Sequence, residues 1–440
     1  MLKPTLKQVI NNPLNSFTSA SGWIKKLRKQ KNFWFAEIND GSMTNSLQTV
    51  IPSELIKDNE TLSLGSSVEV KGKLVKSLGS MQNLEILAEN FRLLGNCPGD
   101  SYPIQKFNNS ADYMRNNSLN FRLRTDKGSS ITRLKSELYS SMINLLEIND
   151  FIRIFPPILT EHDCEGGGEV FRVEANRPEF FSKPAFLTVS TQLHLEIAAS
   201  SLPRVYSFGP VFRAENQDST KHLSEFWMLE CEISFLDSLE TLLDSIEYIL
   251  KSSVSEVFEN CKDETLDRKK CEQFINKSFA RISYTNAVKE LSNFQGKFTH
   301  SLIWGKDMQT EHERFLAEEV MKGPVFVTDY PESLKPFYMK LNDDGKTVSC
   351  IDFLVPGVGE IVGGSLRENS YDKLKSNIQQ KLGFVEGKNP LQWYLDLRKF
   401  GSVPHGGYGL GFDRLLQFLS GTNNIRDIVM IPRYAGTIKF

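Results

Sequence analysis

The 440-residue chain has few cysteines and histidines, and neither type is arranged for metal binding. Its six cysteines contain no CxxC spacing, and its six histidines form no metal-site pattern with them. We therefore expect reduced thiols in an intracellular compartment. No apolar run approaches the ~18 residues of a membrane span, and no secretory signal peptide is present.

The chain also lacks an excess of charge of either sign. It has 52 basic and 54 acidic residues and a net charge of -2, so a nucleic-acid partner would have to be met by local basic patches. With 40% hydrophobic residues, a chain of this length can bury a large core and is expected to form two or three domains. The GxxxxGK[ST] phosphate-binding loop is absent.

Residues 1–15 contain no acidic residue, and the first one in the chain is Glu37. Lys3 and Lys7 make this segment basic, and its apolar residues could share one helical face. That composition is typical of a short organelle-targeting leader and equally of an ordinary frayed terminus. Residues 1–15 are therefore interpreted as a leader or tail.

Residues 16–105 have a β pattern of short runs in which apolar residues alternate or cluster. Five such runs predict a small closed barrel of the oligonucleotide-binding (OB) type. Basic residues crowd the first hairpin beside aromatic ones, a pattern that suits single-stranded nucleic acid. Strand alternation puts Phe33 and Phe35 on one face and Trp34 on the other, so we expect one aromatic platform for a base rather than three.

Residues 106–125 are rich in asparagine and predict a hinge or linker. A helix predicted from about Ser129 to Leu146 leads into the short strand and proline pair of FIRIFPPILT, which would suit a dimer edge. A second predicted helix begins at STQLHLE, with Ser190 or Thr191 as its cap. Residues 237–320 predict a mainly helical portion with few features of a site.

The stretch Phe208 to Phe235 predicts a long hairpin with an unusual load of charge. Its first strand ends in FRAE, a polar loop NQDSTKH follows, and the strand EFWMLECEISF returns. Buried charges are tolerated only when they are paired or used, so this hairpin predicts a site. Lys221 and His222 at its tip suit a phosphate or a nucleic-acid end.

Two later stretches combine β pattern with glycine. GEIVGGSLRE carries Glu360 and Arg367 around a glycine pair, and GGYGLGFDRLLQFLSG runs from a glycine-rich strand into an amphipathic helix. Gly406, Gly407, Gly409 and Gly411 could let the backbone approach a flat or phosphorylated ligand. Arg414 enters at the start of the helix, where the helix dipole also favours anions.

Together these motifs resemble those of the class II aminoacyl-tRNA synthetases, over nearly the whole chain beyond residue 15. The charged hairpin resembles the second signature motif, GYGLGFDRLLQFLSG the third, and FIRIFPPILT with Pro157 the first. The resemblance implies an α+β fold. It places an OB-fold anticodon-binding barrel at 16–105 and a catalytic domain, built on a mixed, mainly antiparallel sheet flanked by helices, at 126–440.

Within the aspartate-type subgroup the chain resembles the asparaginyl enzymes, through CEGGGEVF, STQLHLE and VPGVGEIVGGSLRE. Aspartyl enzymes place a lysine three residues after the glutamine of the QLHL segment, and this chain has Leu195 there. Glu230 could accept from an amide NH₂ and Arg367 could donate to its carbonyl oxygen, which together match a neutral amide. A carboxylate facing Glu230 without the lysine would be repelled.

The resemblance implies roles for further residues, carried over position by position. Glu165, Ser190 and Gln192 would hold the α-ammonium of L-asparagine, beside Glu230 and Arg367. Arg213 and Arg414 would be the catalytic arginines. Asp352 and Glu360 would bind Mg²⁺, a hard ion that prefers oxygen ligands. ATP would contact Arg213, Glu215, Lys221, His222, Leu223, Phe226, Glu360, Gly411 and Arg414, with adenine between Phe226 and Arg414.

The resemblance also implies partners. The barrel would read the anticodon of tRNA(Asn), with Phe35 stacking on a base and Gln48 and Glu85 forming hydrogen bonds. The first motif would build a homodimer interface. An aspartyl-tRNA synthetase, strict or not, and an inactive RNA-binding paralogue stay open as alternatives. We predict a mitochondrial enzyme, with the cytoplasm as the alternative, because the first acidic residue comes late and a long N-terminal extension is absent.

Overall fold

A computed structural model of the chain describes residues 2–57, 59, 61–79, 82–105, 110–161, 169–177, 180–217, 219–261, 265–384 and 389–440. The chain divides into two compact units. The first is formed mainly by residues 1–135, and the second by residues 136–261 and 266–440.

The first unit contains the predicted closed barrel of five strands, in the order β1-β2-β3-β5-β4. Antiparallel pairing joins all neighbours except β3 and β5, which are parallel. The strands are β1 (Phe17–Lys29), β2 (Phe33–Asn39), β3 (Leu47–Pro52), β4 (Ser67–Lys76) and β5 (Leu84–Gly95).

The alternation predicted for β2 is confirmed. Trp34 packs against the barrel core, as do Ala36 and Ile38, while Phe33 is exposed. A short helix before the barrel, α1 (Leu6–Val9), also belongs to this core, because Leu6 and Val9 are both 0% exposed. Asp40 accepts a hydrogen bond from Leu6 N at 2.8 Å, which fixes the start of α1. Residues 5–10 are thus part of the folded barrel.

Helices follow the barrel. The described part of the predicted linker contains α2 (Ala111–Asn117) and a 3-10 segment (Leu119–Arg124). The helix predicted from about Ser129 is longer than expected and forms α3 (Asp126–Ile148). One face of α3 is apolar and buried, through residues such as Leu138, Met142 and Leu146.

The second unit is built on a mixed, mainly antiparallel sheet of eight strands, as the resemblance implied. Its order is β12-β13-β14-β15-β16-β11-β10-β6, and only the two end pairs, β12/β13 and β6/β10, are parallel. Its strands are β6 (Ile152–Arg153), β10 (Arg204–Phe212), β11 (Glu225–Ser234), β12 (Ala280–Ser283), β13 (Val325–Pro331), β14 (Thr347–Val355), β15 (Gly359–Leu366) and β16 (His405–Gly411). A small separate sheet contains β7 (Leu159–Thr160), β8 (Arg172–Val173) and β9 (Ala185–Leu187).

Helices flank this sheet, and the described part of residues 237–320 is mainly helical, with β12 added at the sheet edge. None of the helices within the described ranges is long and apolar enough to cross a membrane. The helices are α4 (Gln192–Ala199), α5 (Leu239–Asn260), α6 (Arg268–Asn276), α7 (Tyr284–Ser292), α8 (Thr310–Phe315), α9 (Tyr371–Leu382), α10 (Gln392–Lys399) and α11 (Phe412–Leu419).

The charged hairpin is formed by β10 and β11, which pair from Arg204–Ile233 to Phe212–Glu225. β11 lies in the middle of the sheet because β16 pairs with its other edge. Its alternate residues therefore project from a fully paired, rigid strand, which positions them well for a site.

Candidate active site

A cavity of about 570 Å³ lies over β11, β15 and β16, within the size range of small-molecule sites. It is lined by every residue predicted to bind amino acid, ATP or metal that the structure describes. Glu165 lies outside the described residues. The predicted residues that line the cavity are Ser190, Gln192, Arg213, Glu215, Lys221, His222, Leu223, Phe226, Glu230, Asp352, Glu360, Arg367, Gly411 and Arg414.

Strand alternation places the side chains of β11 in this cavity. Phe226, Met228, Glu230 and Glu232 are every second residue of the strand, and all four line the cavity. The period of 2 thus puts one aromatic ring and two carboxylates along a single line.

The glycines of β16 serve two different purposes, lining the cavity and allowing close packing within the protein. Gly409 and Gly411 line the cavity, in agreement with the predicted close approach of a ligand. Gly407 instead makes room for the protein itself, because a Cβ there would lie 2.1 Å from Glu232 Oε2 and 2.2 Å from Cys231 O. The same holds for Gly406, where a Cβ would lie 2.9 Å from Ser365 O. Their predicted approach to a ligand is therefore wrong for Gly406 and Gly407.

Glu230 is held by the turn that starts α4. Thr191 donates to it through its backbone N, 2.9 Å from Oε2, and through its hydroxyl, and the Ser190 hydroxyl donates to Oε1. Thr191 occupies the N-cap position, but no side-chain capping bond is formed there. The N-cap is thus one of the two predicted residues, but the Thr191 hydroxyl binds the buried carboxylate instead of capping the helix, while Ser190 Oγ accepts from Gln192 N at 3.1 Å.

Arg367 is fixed beside Glu230 by a buried ion pair with Glu232. Its Nε and Nη2 donate to the two Glu232 oxygens at 3.1 and 3.0 Å, and Nη1 donates to Ser365 Oγ at 2.8 Å. Burial alone would lower the pKa of Arg367. Glu232 and Glu196 raise this pKa by more than burial lowers it, so the guanidinium stays charged. Three of its five N–H bonds are used in this way, which leaves two for a substrate.

The loop after β10 carries a lysine and a histidine at the far end of the cavity. His222 contacts Ser219 Oγ through Nδ1 at 2.5 Å and Glu215 through Nε2 at 3.5 Å. Burial, and then the nearby Arg414, lower the pKa of His222. Burial likewise lowers the pKa of Lys221 to about 8. The lowered pKa favours the neutral form of His222, so Lys221 supplies the positive charge here, which suits phosphate.

Two arginines flank the centre of the cavity. The Arg213 guanidinium lies over the ring of Phe226, 5.6 Å from its centroid. Arg414, in the first turn of α11, donates to Glu360 O at 3.0 Å and lies 3.8 Å from the Glu360 carboxylate. Arg213 follows directly after β10, Arg414 stands on α11, and both line the cavity.

Acidic side chains gather around Gly363. A Cβ at residue 363 would lie 3.0 Å from Glu360 Oε1 and 3.9 Å from Asp352 Oδ1, so the absent side chain leaves a gap between the carboxylates. Burial and the neighbouring Asp352 raise the pKa of Glu360. Lys335 offsets part of this negative charge by donating to both oxygens of Asp352, at 2.7 and 3.0 Å. Crowded oxygen donors of this kind fit a divalent cation such as Mg²⁺.

Glu313 is a third acid in this group, and sequence reasoning missed it. Its carboxylate accepts from Glu360 N at 3.4 Å, and burial and Glu360 raise its pKa to about 7. Its Oε2 lies 2.7 Å, and Lys221 Nζ 3.2 Å, from the place a Cβ at Gly359 would occupy. The run EHERF around Glu313 reads as an ordinary charged helix, so only the packing of α8 reveals it.

Lys335, Glu196 and Arg398 were also missed. Lys335 follows a 3-10 turn (Glu332–Leu334), and no motif marks it. Glu196 and Arg398 meet behind the cavity, 202 residues apart in sequence. A buried Glu in the apolar run LHLEIAAS was the one available signal for this pair.

In the first unit the predicted anticodon residues lie on neighbouring strands. Gln48 and Glu85 are paired in register across β3 and β5, and Gln48 Nε2 donates to Glu85 Oε2 at 2.7 Å. Phe35 lies on the adjacent β2, with the Arg28 guanidinium 5.0 Å from its ring centroid. A ring, a cation and an amide side by side on one barrel surface suit a single-stranded base.

Comparison with known families agrees with both units. A model described as "tRNA synthetases class II (D, K and N)" matches residues 111–435. A model described as "OB-fold nucleic acid binding domain" matches residues 19–94.

Individual relatives are similar over nearly their whole length. The chain is 43% identical to an asparaginyl-tRNA synthetase of Mus musculus, over 94% of this chain and 90% of the relative. It is 42% identical to an asparagine–tRNA ligase of Microcystis aeruginosa, over 94% of each chain. It superposes with a TM-score of 0.88 and 30% identity on a crystal structure of asparaginyl-tRNA synthetase from Pyrococcus horikoshii complexed with asparaginyl-adenylate, covering 100% of this chain and 99% of that one.

Proposed function

This chain belongs to the asparaginyl-tRNA synthetases, within the class II enzymes for aspartate, lysine and asparagine, and on that premise we propose how its cavity carries out the reaction. The enzyme activates L-asparagine with ATP to form asparaginyl-adenylate and pyrophosphate, and then transfers asparagine to the 3′ end of tRNA(Asn). The arrangement of Glu230 and Arg367 is the single observation that carries the choice of asparagine.

The amide of asparagine fits between these two groups. Glu230 accepts from the amide NH₂, and the two remaining N–H bonds of Arg367 donate to the amide oxygen. Leu195, which is buried and lines the cavity, offers no cation to a substrate carboxylate. The α-ammonium lies against Ser190 and Gln192; Glu165, also predicted to bind it, lies outside the described residues.

In the first step a carboxylate oxygen of asparagine attacks the α-phosphorus of ATP. A new P–O bond forms, and the bond to the bridging oxygen breaks, so that pyrophosphate leaves with the electron pair. Arg213 donates to the charge that builds up on the α-phosphate, and Phe226 and Arg414 hold adenine. Glu215 and His222 hold the nucleotide, and Lys221 meets the outer phosphates.

Asp352 and Glu360 would hold Mg²⁺, with Glu313 behind them. The ion, when bound, neutralises and orients the phosphate oxygens. The protein's own part is to hold these carboxylates near one another. The raised pKa values of Glu360 and Glu313 support this role, because burial, and then the neighbouring carboxylates, raise both.

In the second step a hydroxyl of the terminal ribose of tRNA(Asn) attacks the carbonyl carbon of the adenylate, and AMP leaves. We propose that the anticodon is read in the barrel by Phe35, Gln48 and Glu85. The hydrogen bond between Gln48 and Glu85 supports this role, because it orients the amide of Gln48 in advance.

We propose that two copies of the chain form a homodimer through the first motif. The support is a run of exposed apolar side chains around β6, where solvent exposure is 78% for Ile148, 44% for Ile152 and 80% for Phe155. Contiguous apolar exposure of this kind marks an interface.

For location we propose the mitochondrial matrix, with the cytoplasm as the alternative. Cleavage of a leader would have to leave α1 in place, since removal of residues 1–10 would take Leu6 and Val9 out of the barrel core. Imaging a fusion with a fluorescent protein at the C-terminus tests this directly. Diffuse cytoplasmic signal would decide for the alternative.

The reaction is tested by amino-acid-dependent pyrophosphate exchange, with asparagine and aspartate compared in the wild type, Arg213→Ala and Glu230→Gln. We expect exchange with asparagine only, its loss in Arg213→Ala and weakened asparagine binding in Glu230→Gln. Exchange with aspartate would contradict the assigned specificity and leave the reaction class intact. A folded protein that binds tRNA without exchanging either amino acid would indicate the inactive paralogue.

A further inference from the structure

A cluster of buried charges lies directly behind the amino-acid end of the cavity. Glu196 on α4, which is 2% exposed, is its centre. Carboxylate oxygens of Glu196 accept from Tyr394 OH at 2.8 Å and from Arg398 Nη2. Arg367 Nε lies 3.9 Å from Glu196 Oε1, so the residue that reads the amide is flanked by Glu232 on one side and Glu196 on the other.

The cluster already contains its cations. The ligand atoms of Glu196, Glu232 and His405 lie within 4.8 Å of one another, a spacing that could hold a metal ion. The guanidinium groups of Arg367 and Arg398 take that role instead. Arg398 is locked in place by a bond from its Nε to Glu368 O at 3.0 Å.

His405 lies against the same carboxylate. Its Nδ1 lies 2.8 Å from Val403 O, and its Nε2 lies 3.2 Å from Glu196 Oε2. Glu196 therefore faces two guanidinium groups, those of Arg367 and Arg398, beside the imidazole of His405.

Positive and negative groups meet around the amino-acid end. Arg367 and Arg398 face Glu196 and Glu232, and Glu230 lies on the cavity wall. A neutral amide entering this buried environment adds no charge, whereas a carboxylate adds an unpaired negative one. Removal of the Glu196 charge would make the environment more positive and would favour the carboxylate.

We propose that Glu196 determines specificity for asparagine over aspartate, because its buried carboxylate positions Arg367 and Arg398 and cancels positive charge that would otherwise attract a substrate carboxylate. This inference rests on the proposed function. Glu196 does not line the cavity, so it acts through the cavity residues that it contacts. These are Arg367 and Gln192, whose Nε2 donates to Glu196 Oε1 at 3.0 Å, and Glu196 is a positioning residue rather than a catalytic one.

The test compares amino-acid binding in the wild type, Glu196→Gln, Arg398→Gln and Tyr394→Phe. Asparagine binding is measured by calorimetry, and aspartate is measured as its competitor, so the readout does not depend on catalysis. Glu196→Gln keeps the shape and removes one negative charge, and we expect the preference for asparagine to fall about tenfold or more. Arg398→Gln removes a positive charge, so aspartate binding should weaken and the preference should rise.

Tyr394→Phe is the matched control. It removes hydrogen bonds to the same carboxylate without changing any charge, so binding of both amino acids should weaken together and their ratio should stay constant. An unchanged ratio in folded Glu196→Gln, or an equal change of ratio in Tyr394→Phe, would overturn the inference. If Glu196→Gln does not fold, Arg398→Gln decides, and aspartate binding that fails to weaken there overturns it.

Measurements on the wild type distinguish a failure of the proposed function from a failure of the role of Glu196. A wild type that binds neither amino acid overturns both the proposed function and the role of Glu196. A wild type that prefers asparagine, together with an unaltered ratio in the folded variants, overturns only the role of Glu196.

Discussion

The Lys335 ammonium lies 2.7 and 3.0 Å from the two carboxylate oxygens of Asp352. Burial alone would lower the pKa of Lys335, but Asp352 offsets this and the net shift is upward, so the lysine stays charged. Lys335 is thus the basic side chain that forms an ion pair with Asp352 in the described part of the chain.

Replacement of Lys335 should therefore make the fold depend on metal. In Lys335→Met, Asp352, Glu360 and Glu313 lose a compensating charge, and the apparent melting temperature in EDTA should fall by about 3 °C or more. Addition of Mg²⁺ should raise the melting temperature of Lys335→Met by more than it raises that of the wild type. Differential scanning calorimetry with and without MgCl₂ measures both, with exposed Lys346→Met as the control. Equal metal effects in all three proteins would contradict the prediction.

Lys221 should give ATP use an alkaline limit. A lysine is a cation below its pKa, and burial lowers the pKa of Lys221 to about 8, so its charge is lost as the pH rises through about 8. We expect kcat/KM for ATP in pyrophosphate exchange to fall by up to about tenfold between pH 8 and pH 9. Lys221→Arg keeps its charge throughout this range and should remove the fall. The same decline in Lys221→Arg would assign it to another group.

Gln48 should matter for tRNA and not for activation. In Gln48→Ala the amide beside Glu85 is lost, so kcat/KM for tRNA(Asn) in aminoacylation should fall about tenfold, an effect of the size of one or two lost hydrogen bonds. Asparagine-dependent pyrophosphate exchange should be unaffected, because it needs no anticodon. The exposed Gln30→Ala on the same barrel is the control. A loss of exchange in Gln48→Ala would mean that the substitution damages the fold.

The N-terminal helix should stabilise the barrel. Leu6 is 0% exposed and packs into the barrel core, whereas Leu2 is 99% exposed. Leu6→Ala should therefore cost about 3 kcal/mol in the transition that unfolds the barrel, and Leu2→Ala almost nothing. Urea denaturation of the full chain, monitored by the loss of tRNA binding, compares the two variants. Equal midpoints would show that α1 is dispensable.

Phe155 should be required for dimer formation. It is 80% exposed within the apolar run around β6, so Phe155→Asp should place an unpaired charge in the proposed interface and shift the protein toward the monomer. Light scattering after size-exclusion chromatography gives the mass directly. Phe400 is 75% exposed in another part of the second unit, and Phe400→Asp should leave the dimer intact. A monomeric wild type would contradict the proposal itself.

Much of the fold could be predicted from local pattern. Alternation identified the barrel strands and the opposite faces of Trp34 and Phe33, while the structure showed that Trp34 is on the inner one. The strand–loop–strand pattern of Phe208 to Phe235 predicted β10 and β11. The residues of the cavity were predicted from the resemblance to the class II synthetase motifs. The strands, by contrast, depend on residues close together in sequence, where the period of 2 sets the direction of each side chain.

Other parts of the site had no local signal. Ser190 or Thr191 was predicted as the cap of α4, and Thr191 does occupy the N-cap position. Its hydroxyl nevertheless binds Glu230, because a buried carboxylate needs that donor more than a helix end does. Gly407 was predicted to face a ligand, and it faces Glu232 instead. In each case a partner on another strand decided the outcome.

The sequence by itself predicted the barrel strands, the charged hairpin, the motif residues and the family. Only the tertiary structure decided which charges meet: Arg367 with Glu232, 135 residues away, and Arg398 with Glu196, 202 residues away. It also placed Glu313 beside Glu360. The physical reason is that periodicity reports which way a side chain points, whereas its partner is set by strand register and helix packing across the sheet. Burial then enforces the pairing, since a charge without a partner would be too costly in that interior.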